Sequence, residues 1–193
     1  MIASFALALL LGQAAPTDTP AAPQPRPYIS RFCVSVALND VTPGLLRELY
    51  SEWQARPVND EAANAYKPQD QMVTGQMAEF TEKGTPKAFV DARRDICTLV
   101  YPSAALPDGA LQELKTATVP LRKGAKPTPF SVLTSKRLGG PGPLRYFVPT
   151  SEDGRFGLCA VIYEDLRLHD ASPATMVKVQ TCRLGDDETY DNG

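Results

Sequence analysis

Apolar positions along this chain change their rhythm near Cys97. Ahead of it they recur at helical spacing, and behind it they fall into short runs separated by Gly, Pro and Asp. Leu45, Leu46, Leu49, Tyr50 and Trp53 follow the Thr42-Pro43 start signal and stop before Arg56-Pro57, which predicts a helix. Met72, Val73, Gln76, Met77 and Phe80 predict a second amphipathic helix over 69–82, with Gly84 as its stop. The run Ile29 to Leu38 fits both a helical stripe (Ile29, Phe32, Cys33, Val36, Ala37) and strand alternation (Phe32, Val34, Val36, Leu38), with the helix slightly favoured.

Ile96 to Tyr101 is β-branched and aromatic and closes at Pro102, which predicts a strand. A short helix fits within 108–119 on Leu111 and Leu114. Further strands are expected at 130–133, 144–148, 156–166 and 175–184, with the Gly- and Pro-rich stretch 139–143 and Glu152-Asp153-Gly154 as hairpin connections. Helices ahead of strands imply an α+β domain, with N-terminal helices packed on a mainly antiparallel sheet of about five strands. No internal repeat or heptad array is visible.

The ends of the chain carry a different message. Ile2 to Leu11 is apolar except for Ser4 and ends in Gly12-Gln13-Ala14-Ala15, the pattern of a secretory signal peptide cut after Ala14. Ten apolar residues are too few for a helix across a bilayer core, which takes roughly 20, so no transmembrane anchor is expected. Five prolines between Pro16 and Pro27 make 15–27 an extended linker, 28–185 a single domain, and 186–193 an acidic flexible tail.

Export changes the reading of the four cysteines, Cys33, Cys97, Cys159 and Cys182. In an oxidising compartment they form two disulfides by default. Three connectivities are open; Cys33 with Cys97 and Cys159 with Cys182 is favoured, since the second pair falls on successive strand-like runs. Ligand spacing for a structural zinc is missing, and no cofactor is expected.

Composition narrows the function less than the compartment. Against 20 Lys and Arg stand 22 Asp and Glu, a net charge of -2 that disfavours nucleic acid as a partner. The single histidine, His169, has no nucleophile elbow to serve, and the Gly-rich stretch lacks a phosphate-binding ending. Glu152-Asp153 and Glu164-Asp165 are adjacent pairs whose members point to opposite faces of a strand, and the Arg93-Arg94 fork lies between Asp91 and Asp95. Charge is nonetheless segregated. Between 114 and 151 there are seven basic residues and no acidic one: Lys115, Arg122, Lys123, Lys126, Lys136, Arg137 and Arg145. This block is the candidate anion-binding surface, suited to an anionic envelope polymer or an acidic protein. The sequence therefore points to a periplasmic or secreted, disulfide-stabilised, noncatalytic binding or envelope-associated module. The alternative is a small secreted hydrolase using His169 and nearby carboxylates.

Overall fold

A computed structural model describes residues 26–39, 41–116, 118–119, 128–135 and 143–190. The chain enters at a wide helical turn of the π type, Tyr28–Cys33, which passes directly into α1 (Val34–Leu38). All five residues of the expected helical stripe, Ile29, Phe32, Cys33, Val36 and Ala37, are buried, which settles the ambiguous run as helix. In α2 (Pro43–Glu52), Pro43 occupies the first turn and the Thr42 hydroxyl accepts the Leu45 N–H at 3.2 Å, the start that the Thr-Pro pair predicts. The edge strand β1 (Ala55–Val58) and the short α3 (Asp60–Asn64) follow, the helix capped by the Asn59 side chain on the Ala62 N–H.

The remaining elements are β2 (Gln76–Phe80), β3 (Lys87–Asp91), β4 (Ile96–Tyr101), α4 (Asp108–Thr116), β5 (Thr118–Val119), β6 (Thr128–Pro129), β7 (Ser131–Ser135), β8 (Leu144–Pro149), β9 (Phe156–Arg167), β10 (Pro173–Arg183) and β11 (Glu188–Tyr190). Nine of the strands form one antiparallel sheet in the order β1-β2-β3-β4-β10-β9-β8-β7-β11, and β5 and β6 make a small ladder of their own. The halves share a plan: a helical segment, then a four-strand meander. The meanders meet where β4 pairs with β10, with Leu99 opposite Val177.

This architecture corrects the expectation of N-terminal helices on a five-stranded sheet. The five anticipated strands exist as β4, β7, β8, β9 and β10, but β1, β2, β3 and β11 extend the sheet to nine, and the helices among the described residues are short. The predicted helix over 69–82 is the main error. Gly75 sits at φ +97°, and a Cβ there would lie 2.2 Å from the Val90 carbonyl oxygen, so the backbone turns tightly against β3 and then runs on as β2. In β2 the alternation is masked because Met77 and Ala78, on opposite faces, are both buried. Strand β3 is masked in the same way: Ala88, Phe89 and Val90 are all buried. Within the expected tail, Glu188–Tyr190 pairs antiparallel with β7, so this part of the acidic stretch belongs to the sheet. The expected signal segment 1–14 and linker residues 15–25 lie outside the described residues.

Both sheet faces are covered. On one, Ile29, Phe32, Val36 and Leu114 from the helical layer pack on Leu99, Ile162 and Val177. Tyr28, Phe32, Trp53 and Phe80 form an aromatic knot there, with ring centroids from 4.8 Å (Tyr28 to Phe80) to 6.5 Å (Trp53 to Phe80). On the other face, Met77, Phe89, Val100 and Met176 are covered by Ala63, Val73 and Leu168, while Phe147, Cys159 and Val161 pack with Leu133.

Both favoured disulfides are present. Cys33–Cys97, with Cα atoms 5.1 Å apart, ties the helical layer to β4. Cys159–Cys182, at 5.8 Å, bridges β9 and β10 diagonally, since Cys159 lies opposite Gln180 and Cys182 opposite Gly157. The sheet's two borders are blunted: β1 carries Pro57, and β11 is three residues long.

Candidate functional site

The β2–β3 connection, residues 81–86, separates two clefts. Gly84 takes φ +81° in this turn, and the Thr85 hydroxyl donates to the Glu82 carbonyl at 2.7 Å, which fixes the loop as a wall between them.

The larger cleft, about 900 Å³, has Phe80, Val100 and Leu168 among its apolar lining and the Tyr66 ring beside them. Lys87 crosses it: its Nζ lies 4.9 Å from the Tyr66 ring centroid and 3.0 Å from Glu79 Oε1. Arg56 holds the other Glu79 oxygen at 2.7 Å. The hydrogen bonds from Arg56 and then Lys87 keep the Glu79 carboxyl below the usual carboxylate range. His169, Asp170 and Ser172, from the β9–β10 turn, form another part of the rim.

Three residues of a classical hydrolytic set thus share one wall, but their bonding differs from a relay. Ser172 donates to Asp170 Oδ1 twice, through its hydroxyl at 2.5 Å and its backbone N–H at 2.9 Å, a turn-closing arrangement. These bonds hold the Asp170 carboxyl below its ordinary value. His169 makes no hydrogen bond or ion pair among the described residues, so no base is aligned on the Ser172 hydroxyl.

The second cleft, about 660 Å³, has Pro86, Pro107 and Ala110 in its apolar walls, with Tyr28, Tyr101 and Glu113 lining it as well. Glu113 comes from α4 and faces the start of the first helical turn. Its Oε1 accepts the Ser30 N–H at 2.5 Å and the Ser30 hydroxyl at 2.8 Å. Burial pushes the Glu113 carboxyl up, and the Ser30 and Ile29 donors oppose that rise. Burial, reinforced by Glu82, also drives the Tyr28 phenol up to about 12, against the lowering effect of Arg26. Tyr101 is pushed higher still, chiefly by burial and then by the Glu113 charge. At the mouth, Arg26 Nη2 lies 2.9 Å from Glu82 Oε1.

The structure distributes the residues singled out from the sequence rather than assembling them. Lys115 is exposed in the last turn of α4, where a cation complements the helix dipole. Arg145, in β8, is ion-paired with Glu188 of β11 and partly buried. Arg122, Lys123, Lys126, Lys136 and Arg137 lie outside the described residues. Asp153 accepts from the Ser151 hydroxyl and the Arg155 N–H, and Glu164 accepts the Leu106 N–H at 3.2 Å, so each has a local bonding role. Asp91 takes the Thr74 hydroxyl at 2.7 Å and the Arg93 N–H, with Arg94 Nε at 3.9 Å, which engages the basic fork locally.

Sequence reasoning missed the second cleft altogether. Ser30 and Glu113 are 83 residues apart, and no linear spacing joins them. Among the described residues no cluster of three or more His, Cys, Asp and Glu could hold a metal ion, and no helix is long and apolar enough to cross a membrane. Comparison with known protein families, with curated proteins and with solved structures finds no match.

Proposed function

We propose that this chain is exported to the periplasm or the medium and acts there as a disulfide-braced, noncatalytic binding module, with the larger cleft as its ligand site. The observation that carries the reading is the cleft's composition: an apolar lining beside polar groups already held in local bonds. Glu79 is held by Arg56 and Lys87, and Asp170 by Ser172. Such a site offers shape and fixed charges to a small ligand of mixed polarity. Export is supported by the apolar opening segment and by all four cysteines being bonded.

Intact mass of the protein from its native host, with and without reductant and alkylation, tests export. The expected product lacks residues 1–14 and takes up alkylating agent on its four cysteines only after reduction. An uncut chain with four alkylated cysteines before reduction overturns the proposal. For the cleft, ligand-observed NMR with small probes of mixed polarity is expected to give binders that perturb the amides of Tyr66, Lys87 and His169. A hydrolytic activity abolished by His169→Ala would replace binding with catalysis.

A further inference from the structure

We propose that the second cleft is a binding site for an organic cation, a primary ammonium or guanidinium group carried on a short apolar stem. The site shares only the wall 82–85 with the larger cleft, and Tyr28, Tyr101 and Glu113 belong to it alone, so its fate can be read independently of the function proposed above.

Glu113 and the Tyr28 and Tyr101 hydroxyls bring acceptor oxygens in beside the cleft's apolar walls. Glu113 offers a carboxylate with about four lone-pair sites, of which the Ser30 N–H and hydroxyl occupy two, both on Oε1. The Tyr28 phenol also lines the cleft, and its oxygen can accept. Tyr101 supplies the independent observation. Its ring is enclosed, with the residue only 5% exposed, while its hydroxyl makes no hydrogen bond among the described residues and is not among the buried unpartnered atoms, so it opens to the cleft. A hydroxyl facing the cleft with no protein partner is free to accept from a donor entering there.

Charge placement favours a cation over an anion. The positive groups lining the cleft, Arg26 and Lys83, belong to its mouth and to the β2–β3 turn, and Arg26 is neutralised by Glu82. An anion would have to lie against the Glu113 carboxylate. Arg26 also shows that a guanidinium suits the acceptors at the entrance, while Glu113 and Tyr101 remain without one. Pro86, Pro107 and Ala110 provide apolar wall for a methylene stem, and the volume suits a ligand of modest size.

Two sources share this chemistry: a free alkylamine, or a lysine or arginine side chain of a partner peptide. Calorimetric titration of the oxidised full chain with 1,5-diaminopentane and with Nα-acetyl-lysine methylamide separates them by which binds more tightly, and either supports the proposal. Pentan-1-ol and pentanoate serve as neutral and anionic controls. Saturable binding of the amines and none of the controls is expected, with amide shifts in Tyr28, Gly84 and Ala110. Glu113→Gln should weaken binding roughly tenfold or more by removing the charge. Tyr101→Phe, which keeps the ring and its packing, should weaken it roughly fivefold to tenfold by removing one hydrogen bond. If the alcohol or the carboxylate binds as well as the amines, if neither amine binds, or if a folded Tyr101→Phe variant binds them like the parent, the proposal is wrong.

Discussion

Replacing each disulfide by an alanine pair should cost unequal amounts, in an order set by the structure. Cys33 and Cys97 are 64 residues apart, and in the chain-entropy treatment closing that loop contributes about 4.3 kcal/mol. Cys159 and Cys182 are 23 apart, which gives about 3.4 kcal/mol. Burial widens the gap. Cys33 and Cys97 are fully enclosed between the first helical turn and β4, whereas Cys182 is only half buried. Each enclosed sulfur removed adds on the order of 1 kcal/mol, the value of a methylene-sized group. Cys33→Ala/Cys97→Ala should therefore lose about 6 kcal/mol and Cys159→Ala/Cys182→Ala about 4 to 5 kcal/mol, a large part of the roughly 5 to 15 kcal/mol that holds a typical domain folded. Urea unfolding followed by circular dichroism, with m-values compared among the three proteins, measures both losses. The reasoning fails if the Cys159–Cys182 removal is the costlier one, or if either loss is below about 1 kcal/mol.

Other expectations follow from single side chains. The Tyr50 hydroxyl is buried without a partner, so Tyr50→Phe should raise stability by about 1 kcal/mol; a lower melting temperature would contradict this. Gly75→Ala should cost at least about 2 kcal/mol, because the new methyl meets the β3 backbone and φ +97° disfavours alanine; calorimetry will show whether the loss occurs. Glu113 binds its proton more tightly folded than unfolded, so its contribution to stability is largest below the ordinary value of 4.5 and declines as pH rises through the raised one. The stability difference between the parent and Glu113→Gln should shift in the variant's favour as pH climbs from 4 to 8, and a flat difference would refute the assignment. Glu79 runs the opposite way: its carboxyl is lowered, so the stability it lends is lost as pH falls through that lowered value.

What could be read from the sequence was whatever one element shows by itself. Helix α2 announces its start in Thr42-Pro43 and its inner face in Leu49 and Tyr50, and β4 is a β-branched and aromatic run ended by proline. The disulfide pairs were legible because the strand-like runs around Cys159 and Cys182 adjoin. Strands β2 and β3 escaped because both of their faces are buried, which erases alternation. The fitted helical stripe over 69–82 was broken by one glycine whose role depends on Val90, fifteen residues later. The second cleft depends on Ser30, Tyr101 and Glu113 converging, which only the packing of α4 beside the first helical turn brings about.

The two covalent bridges have a consequence for how the protein matures. Each joins cysteines that are consecutive in the chain, and each stays within its own half, so the two sequence loops neither overlap nor nest. A polypeptide is made N-terminus first, so the next thiol to follow Cys33 is its native mate, and the same holds for Cys159. A simple oxidant acting in order of emergence yields the correct pairing, leaving nothing for an isomerase to unscramble.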